Sequence, residues 1–336
     1  MTAPQTTVPQ PTPRTPPVFA ISALVAVVAS VLLIAFGLPA VNAGPHDLPL
    51  ALVAPPPVAQ QLQTRLDTAR PGAFDLHVKA SEDEARAAIL NREVYGALLV
   101  TPQGPRVLTA SAASPTAAQL IAALPALTGA PAGADAVQDI VPATASDPRQ
   151  AGMISVALPL VLGGILSAVF LTRFFPSARM RVLGAAGVGL LGGFLVAAIL
   201  QFWFGTLAGN YLTNSLAVAL GVFAIGSFIL GLEALAGFIG LGLGAAIMML
   251  LGNPLSALSS APELLPAGWG ALGQLLPPGA FGTLLRSVAF FDGAGWGKPA
   301  LTLGVWVALG LILTVIGSAR RKSAAPFTEA GAARAG

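Results

Sequence analysis

Apolar residues along this chain fall in long blocks rather than in scattered periodic positions, and six of these blocks are long enough to cross a bilayer. A hydrocarbon core of about 30 Å takes roughly 20 residues of helix. Unpaired backbone groups cannot face lipid, so each block predicts a helix. The blocks are residues 18–38, 153–172, 182–204, 215–232, 234–251 and 299–317. Between 215 and 251 the run is broken only by Glu233. That residue reads either as a tight turn between two spans or as a carboxylate inside one long tilted helix, and the apolar length on each side favours the turn.

The pattern changes to mixed polar and apolar between residues 44 and 150. Residues 48–53 read as a strand and 58–69 have helical apolar spacing. Phe74, Leu76 and Val78 alternate as in a half-buried strand, 94–101 reads as a buried strand, 106–110 as a shorter one and 116–127 as a helix. Ser81-Glu82-Asp83-Glu84 is a capping box that opens a helix through about Asn91. The expected fold is therefore a mainly α integral membrane protein of six transmembrane helices, with a small α/β extracytoplasmic domain between the first and second. That domain is expected to bury one sheet face, and residues 135–150 to return the chain to the bilayer. Residues 1–17, rich in Pro and Thr, predict a disordered cytoplasmic tail. Residues 151–318 form the five-helix part and 319–336 a second cytoplasmic tail. Val41-Asn42-Ala43 has the small-residue spacing of a signal-peptidase site. The preceding run exceeds a signal h-region and its flank is poorly charged, so an uncleaved anchor is expected, with cleavage after Ala43 as the alternative.

Charge fixes the expected orientation. Placing the N-terminus inside puts Arg14, then Arg173, Arg179 and Arg181, then Arg320, Arg321 and Lys322 on the cytoplasmic side, as the enrichment of basic residues in inner loops requires. Both termini are then cytoplasmic and the polar domain lies outside. The composition, 55% hydrophobic and 9% charged, excludes a water-soluble fold, since soluble domains carry about 25% charged residues. The net charge of +3 comes from residues at span ends, not from a basic face, so no nucleic-acid partner is expected. Arginine in excess of lysine, with abundant Ala, Gly and Pro, is the bias of a GC-rich bacterial genome, which makes the bacterial cytoplasmic membrane the expected location. Cysteine is absent, removing disulfides and thiol chemistry. His46 and His77 lie far apart in the polar segment and read as surface residues.

No phosphate-binding loop, nucleophile elbow, zinc-protease or dinucleotide pattern occurs, so no catalytic, cofactor or metal site is expected in this chain. The glycine strings 184–193 and 237–244 sit inside spans, where small residues let helix backbones approach. Glu233 is the candidate intramembrane ionisable group, because a carboxylate at the centre of a span is costly and marks function. The stretch 252–298 is apolar but interrupted by prolines, among them Pro277 and Pro278, with Trp269 near its middle and Arg286 beyond. Two readings are open: half-helices dipping into the outer leaflet, or an amphipathic loop on the membrane surface. The inner loop joins Arg173, Phe174, Phe175, Pro176, Arg179 and Arg181, either to anchor at lipid headgroups or to dock a cytoplasmic subunit.

Three stretches, 81–100 (SEDEARAAILNREVYGALLV), 157–164 (ALPLVLGG) and 275–293 (LLPPGAFGTLLRSVAFFDG), resemble in order and topology the bacterial type-2 ABC transporter permeases, in the branch near the phage-infection-protein family. The resemblance implies a permease subunit that exports a lipid-like, amphipathic or drug-like substrate. It also implies ATP hydrolysed on a separate cytoplasmic ATPase, pairing with a second permease subunit, coupling at Arg173 to Arg181 and half-helices at 252–298. The inner loop departs from the family in being short and lacking a long amphipathic coupling helix. The rival expectation is an ATP-independent envelope receptor or secretion accessory whose outer domain binds a partner or a phage. A third is an ion-coupled carrier using Glu233.

Overall fold

The computed structural model describes residues 18–102, 104–128 and 136–332. The tail expected at 1–17 lies outside them. Among the described residues five helical segments are long and apolar enough to cross a membrane, Val18–Val41, Ala151–Phe174, Ala178–Trp203, Tyr211–Gly252 and Gly297–Arg321, and the chain is a multi-pass membrane protein.

The first segment is helix α1 (Val18–Val41), apolar on every face and exposed along almost all its length. It packs on the rest of the protein near its C-terminal end, where Phe36, Pro39 and Ala40 line a cavity of about 530 Å³ with Leu158 and Leu258. The mixed domain follows as β1 (Leu48–Val53), α2 (Pro56–Ala69), β2 (Phe74–Val78), α3 (Glu82–Leu90), β3 (Gly96–Thr101), β4 (Gly104–Thr109), α4 (Pro115–Ala122), the short α5 (Pro125–Thr128) and β5 (Val137–Asp139). The sheet order is β2-β1-β3-β4-β5, parallel at β2-β1, β1-β3 and β4-β5 and antiparallel at β3-β4. Helical crossovers α2 and α3 are what parallel neighbours require. Ser81 Oγ accepts from Glu84 N at 3.2 Å, as a capping box demands. The Glu84 carboxylate accepts from Ala80 N at 3.0 Å, one residue earlier than the usual reciprocal bond.

Two sequence expectations change here. The sheet buries both faces, not one: Leu48, Leu50 and Leu52 pack with Leu62, Leu66 and Ile121 on one side, while Ala51, Ala97 and Leu99 pack with Ile89 on the other. The second layer completes itself with residues from far along the chain. Ala261 and Leu264 join the first cluster and Phe291 joins the second. Between 135 and 150 the chain first adds β5, whose Val137 pairs with Val107, before it returns to the helices.

The return is pinned by Asp147. Its carboxylate accepts from Ala151 N at 2.7 Å, Gly152 N at 2.8 Å and the Thr206 hydroxyl at 2.7 Å, at the start of α6 (Ala151–Ser155) and the continuing α7 (Ala157–Phe174). Burial pushes this carboxyl up, but the bonds from Gly152, Thr206 and Ala151 outweigh it and hold the group below its ordinary value. A depressed carboxylate stabilises the fold above the unfolded-state pKa of about 4, and the stabilisation is lost as pH falls through the lower folded-state value. Asp147→Asn is therefore expected to lower the thermal midpoint at pH 7 and to flatten its fall between pH 5 and 3. An unchanged acid limb in melts of the variant would refute the role.

Helix α8 (Ala178–Ala198) ends in a π-helical turn, Ile199–Trp203. Helix α9 (Tyr211–Ala246), continued by a π-helical turn Ile247–Gly252, is where the sequence places a break at Glu233. The chain instead stays helical through Glu233 and reverses at Gly237, whose φ of 61° and ψ of −139° are open to glycine and closed to residues with a Cβ. A Cβ on Gly244 would lie 3.2 Å from Ile229 Cα. A straight helix would hold these two positions about 22 Å apart. The two arms of α9 are thus antiparallel. Buried residues make up 78% of its most apolar window, against 22% for α8 and for the last helix, so α9 is the centre of the bundle.

Glycine makes this centre close. A Cβ on Gly193 of α8 would sit 2.6 Å from Ser215 O, and one on Gly244 would press Ile229 and Leu232. Within the glycine strings, Gly184, Gly189, Gly193, Gly240 and Gly244 serve packing and Gly237 makes the turn, while a Cβ on Gly187, Gly192 or Gly242 would meet nothing within 4 Å. A further crossing, Gly231 against Gly310, joins α9 to the final helix α12 (Gly297–Ala332), which carries helix to Ala332, into the region expected as tail. Between these helices residues 252–298 form two 3₁₀ turns (Pro254–Ser256, Pro262–Leu264), α10 (Trp269–Gln274) and α11 (Pro277–Phe290), with Pro277 and Pro278 in the first turn of α11, where a missing N–H costs nothing. Phe281 of α11, fully buried, meets Gly221, about 15 Å along α9 from Tyr211.

Candidate functional site

Charged side chains concentrate at the two opposite ends of the bundle. At one end α7 stops at Phe174 and α8 starts at Ala178, so Arg179 and Arg181 belong to the first turn of a helix rather than to a loop. Arg173, Phe174, Phe175 and Pro176 are exposed, and Phe174 stacks on Phe170 with centroids 6.3 Å apart. Arg181 points back into the bundle. Its Nε donates to Phe175 O at 2.6 Å and its Nη1 to Glu233 Oε2 at 2.6 Å. Arg321 of α12 reaches the same residue, its Nη2 donating to Glu233 O at 2.6 Å and Oε1 at 3.1 Å. Glu233 is 7% exposed, Arg181 13% and Arg321 50%, so the pair with Arg181 is the desolvated one. Each carboxylate oxygen of Glu233 accepts from a different guanidinium. One anion thereby ties the same ends of α8, α9 and α12. Arg179 stays exposed beside an apolar groove of about 640 Å³ between α8 and α12, lined by Leu183, Leu311 and Val315.

At the other end the mixed domain seats on 252–298. Gly44 N donates to Leu264 O at 3.0 Å and His46 N to Glu263 O at 2.8 Å, which joins β1 to the 3₁₀ turn. Arg92, just past α3, donates through Nη1 to Thr283 O at 3.2 Å and Ser287 Oγ at 3.0 Å, and its guanidinium lies 5.0 Å from the centroid of the Phe291 ring. Tyr95 donates its hydroxyl to Glu263 Oε2 at 2.8 Å, and burial, with Glu263 beside it, pushes this hydroxyl well up, so it remains a donor. Burial pulls the Arg92 guanidinium down from its ordinary value, while Tyr95 and Glu263 pull it back up. Arg286 of α11 is buried and donates to Leu258 O at 2.7 Å, its Nε without a partner. Trp269, at the first position of α10, is partly buried, not fully exposed at a surface.

These groups surround a cavity of about 740 Å³ lined by Asp47, Arg92, Tyr95, Glu263, Gln274 and Lys298, with apolar Pro262, Leu265 and Ala271. Four lining positions carry positive φ: Asp47 (50°), Arg92 (60°), Gly268 (81°) and Gly295 (72°). Two of them bear a Cβ, and such positions gather at functional sites. Among the described residues no group of three or more His, Cys, Asp or Glu side chains could hold a metal ion. His46 meets Gly44 O, and His77 pairs with the exposed Asp75.

The sequence singled out Glu233, Arg181 and Arg321 for three separate reasons, and the structure brings them together. It did not single out Asp47, Tyr95, Glu263 or Lys298. The available signal was the quoted stretches 81–100 and 275–293: Arg92 and Tyr95 lie in one, Thr283, Arg286 and Ser287 in the other, and the two meet at this junction. No family model matches the chain, and neither a curated protein nor a solved structure matches it.

Proposed function

We propose that the chain is the membrane-spanning permease subunit of an exporter that moves an amphipathic, lipid-like or drug-like substrate outward, with ATP hydrolysed on a separate cytoplasmic subunit and a second permease subunit completing the pathway. In this reading each arm of α9 crosses the bilayer, giving six crossings. The end with Arg173, Arg181 and Arg321 faces the cytoplasm, by the basic-residue rule, in the cytoplasmic membrane of a bacterium. The mixed domain and 252–298 then lie outside, with α11 entering the outer leaflet beside Gly221.

One observation carries the reading. The exposed turn Arg173 to Pro176 is continuous with Arg181, and Arg181 is the residue that holds Glu233 and, through it, α9 and α12. A subunit pressing on that turn acts on the ion cluster that keeps three helix ends together. Alternating access needs such ends to part and rejoin. Exposed Phe174 and Arg179 are the side chains expected to make the contact.

Because the chain has no cysteine, single introduced cysteines report topology cleanly. In intact cells a membrane-impermeant maleimide is expected to label Asp75→Cys and to leave Phe174→Cys unlabelled until the cells are opened. Affinity purification of the full chain is expected to bring an ATPase with it, and Phe174→Ala with Arg179→Ala to reduce retention at least tenfold. Labelling of Phe174→Cys in intact cells would overturn the orientation. A chain that retains no ATPase, with no export defect on deletion, would leave the envelope-receptor reading in its place.

A further inference from the structure

The junction cavity holds opposite charges that do not pair with each other. Arg92 and Lys298 are cationic, Asp47 and Glu263 anionic, and all four line the one space. Among the described residues none of them makes an ion pair. Each is therefore open to a charged group that enters the space. Two of the four, Arg92 and Asp47, sit at positive φ. Arg92 hydrogen-bonds the protein through Nη1 alone, to Thr283 and Ser287, with its guanidinium against the Phe291 ring, and Glu263 accepts one bond through its carboxylate, from Tyr95. The cavity also touches the start of a helix apolar enough to cross a membrane. Gly297 and Lys298, which begin the last crossing helix, line it together with apolar Leu265 and Ala271.

We infer that this cavity binds a zwitterion made of a phosphate and an ammonium group, the chemistry of a phosphoethanolamine headgroup, with Arg92 and Lys298 taking the phosphate and Glu263 the ammonium. Guanidinium and ammonium donors suit phosphate oxygens. A carboxylate accepts from a primary ammonium, and the mixed apolar wall suits the glycerol and first methylenes of an amphipathic molecule. The inference takes the outer position of residues 252–298 from the reading above and names the class of molecule met there. It needs neither nucleotide nor partner, so it stands or falls separately from ATP-driven export.

The test is binding of soluble glycerophosphoethanolamine to the detergent-purified full chain, read by tryptophan fluorescence and calorimetry. Saturable binding is expected, with glycerophosphoglycerol, which lacks the ammonium, and ethanolamine, which lacks the phosphate, each at least tenfold weaker. Two variants leave the packing alone. Glu263→Gln keeps an oxygen for the Tyr95 hydroxyl, and Lys298→Gln alters an exposed side chain. The first is expected to erase the preference for glycerophosphoethanolamine over glycerophosphoglycerol. The second is expected to weaken both phosphate probes fivefold or more. Nanodiscs separate the sources: loss of soluble-probe binding in phosphatidylethanolamine discs but not in phosphatidylglycerol discs identifies a lipid headgroup, and equal binding in both identifies a free zwitterion. Equal affinity for all three probes, no binding of any, or a preference unchanged in Glu263→Gln would overturn the inference.

Discussion

Alanine at Glu233 is expected to lower the stability of the detergent-purified protein by about 3 kcal/mol, the scale for breaking one partner out of a buried ion pair. The loss comes mainly from Arg181, which is 13% exposed and would keep its charge with two backbone carbonyls, Phe175 O at 2.6 Å and Thr172 O at 3.4 Å, and no anion. Arg321 is half exposed, and water replaces much of what it loses, so Arg321→Ala is expected to cost no more than about 1 kcal/mol. Arg181→Ala should cost nearly as much as Glu233→Ala, and the double variant little more than either, because each single change removes the same interaction. Thermal melts of the four proteins measure this directly. If the two losses simply add, Arg181 and Glu233 are not partners. The same variants bear on ion-coupled transport. Both Glu233 oxygens accept from guanidiniums, so its carboxylate is engaged in holding the bundle. Export that survives both Glu233→Gln and collapse of the proton gradient would discard a proton-relay role.

A second large effect is expected from a single methyl group at Gly310. A Cβ there would collide with the Ser227 backbone of α9, while a Cβ on Gly304 in the same helix meets nothing within 4 Å. Gly304→Ala is therefore expected to be neutral or to stabilise by up to about 1 kcal/mol through helix propensity. Gly310→Ala is expected to cost about 1–3 kcal/mol, because backbone cannot move aside as a flexible side chain does and the helices must separate. Gly231→Ala, whose Cβ would lie 2.6 Å from Gly310 O, should behave like Gly310→Ala. Equal melting points for the Gly304 and Gly310 variants would show that α9 and α12 do not cross there.

Both predictions rest on contacts that no local pattern announces. Glu233 drew notice as a charge within an apolar run, yet the expected turn falls at Gly237, because the paired carboxylate keeps the helix intact where it stands and only glycine can take the reversed backbone conformation. The sequence places Arg181 in an inner loop that anchors at headgroups or docks a subunit, and Arg321 marks orientation. Both also hold Glu233, Arg181 in a desolvated pair and Arg321 in a half-exposed one. The mixed domain gives the same lesson. Its strands and the Ser81 cap follow from alternation and capping chemistry. The domain's own helices cover both sheet faces, and Leu264 and Phe291, which arrive from residues 252–298, complete the two layers.

Neighbours along the chain decide which stretches are apolar enough to enter a membrane, where a cap starts α3, and the alternation that makes β2 a strand. These are settled within a few residues, by the solvent each side chain must meet and the backbone groups it can satisfy. Packing between elements decides the reversal at Gly237, the ion cluster on Glu233, the glycine crossings and the charged cavity beneath the mixed domain. Each joins residues from separate elements, and whether such residues meet depends on how whole helices pack, an outcome shared among many contacts and encoded in no single stretch.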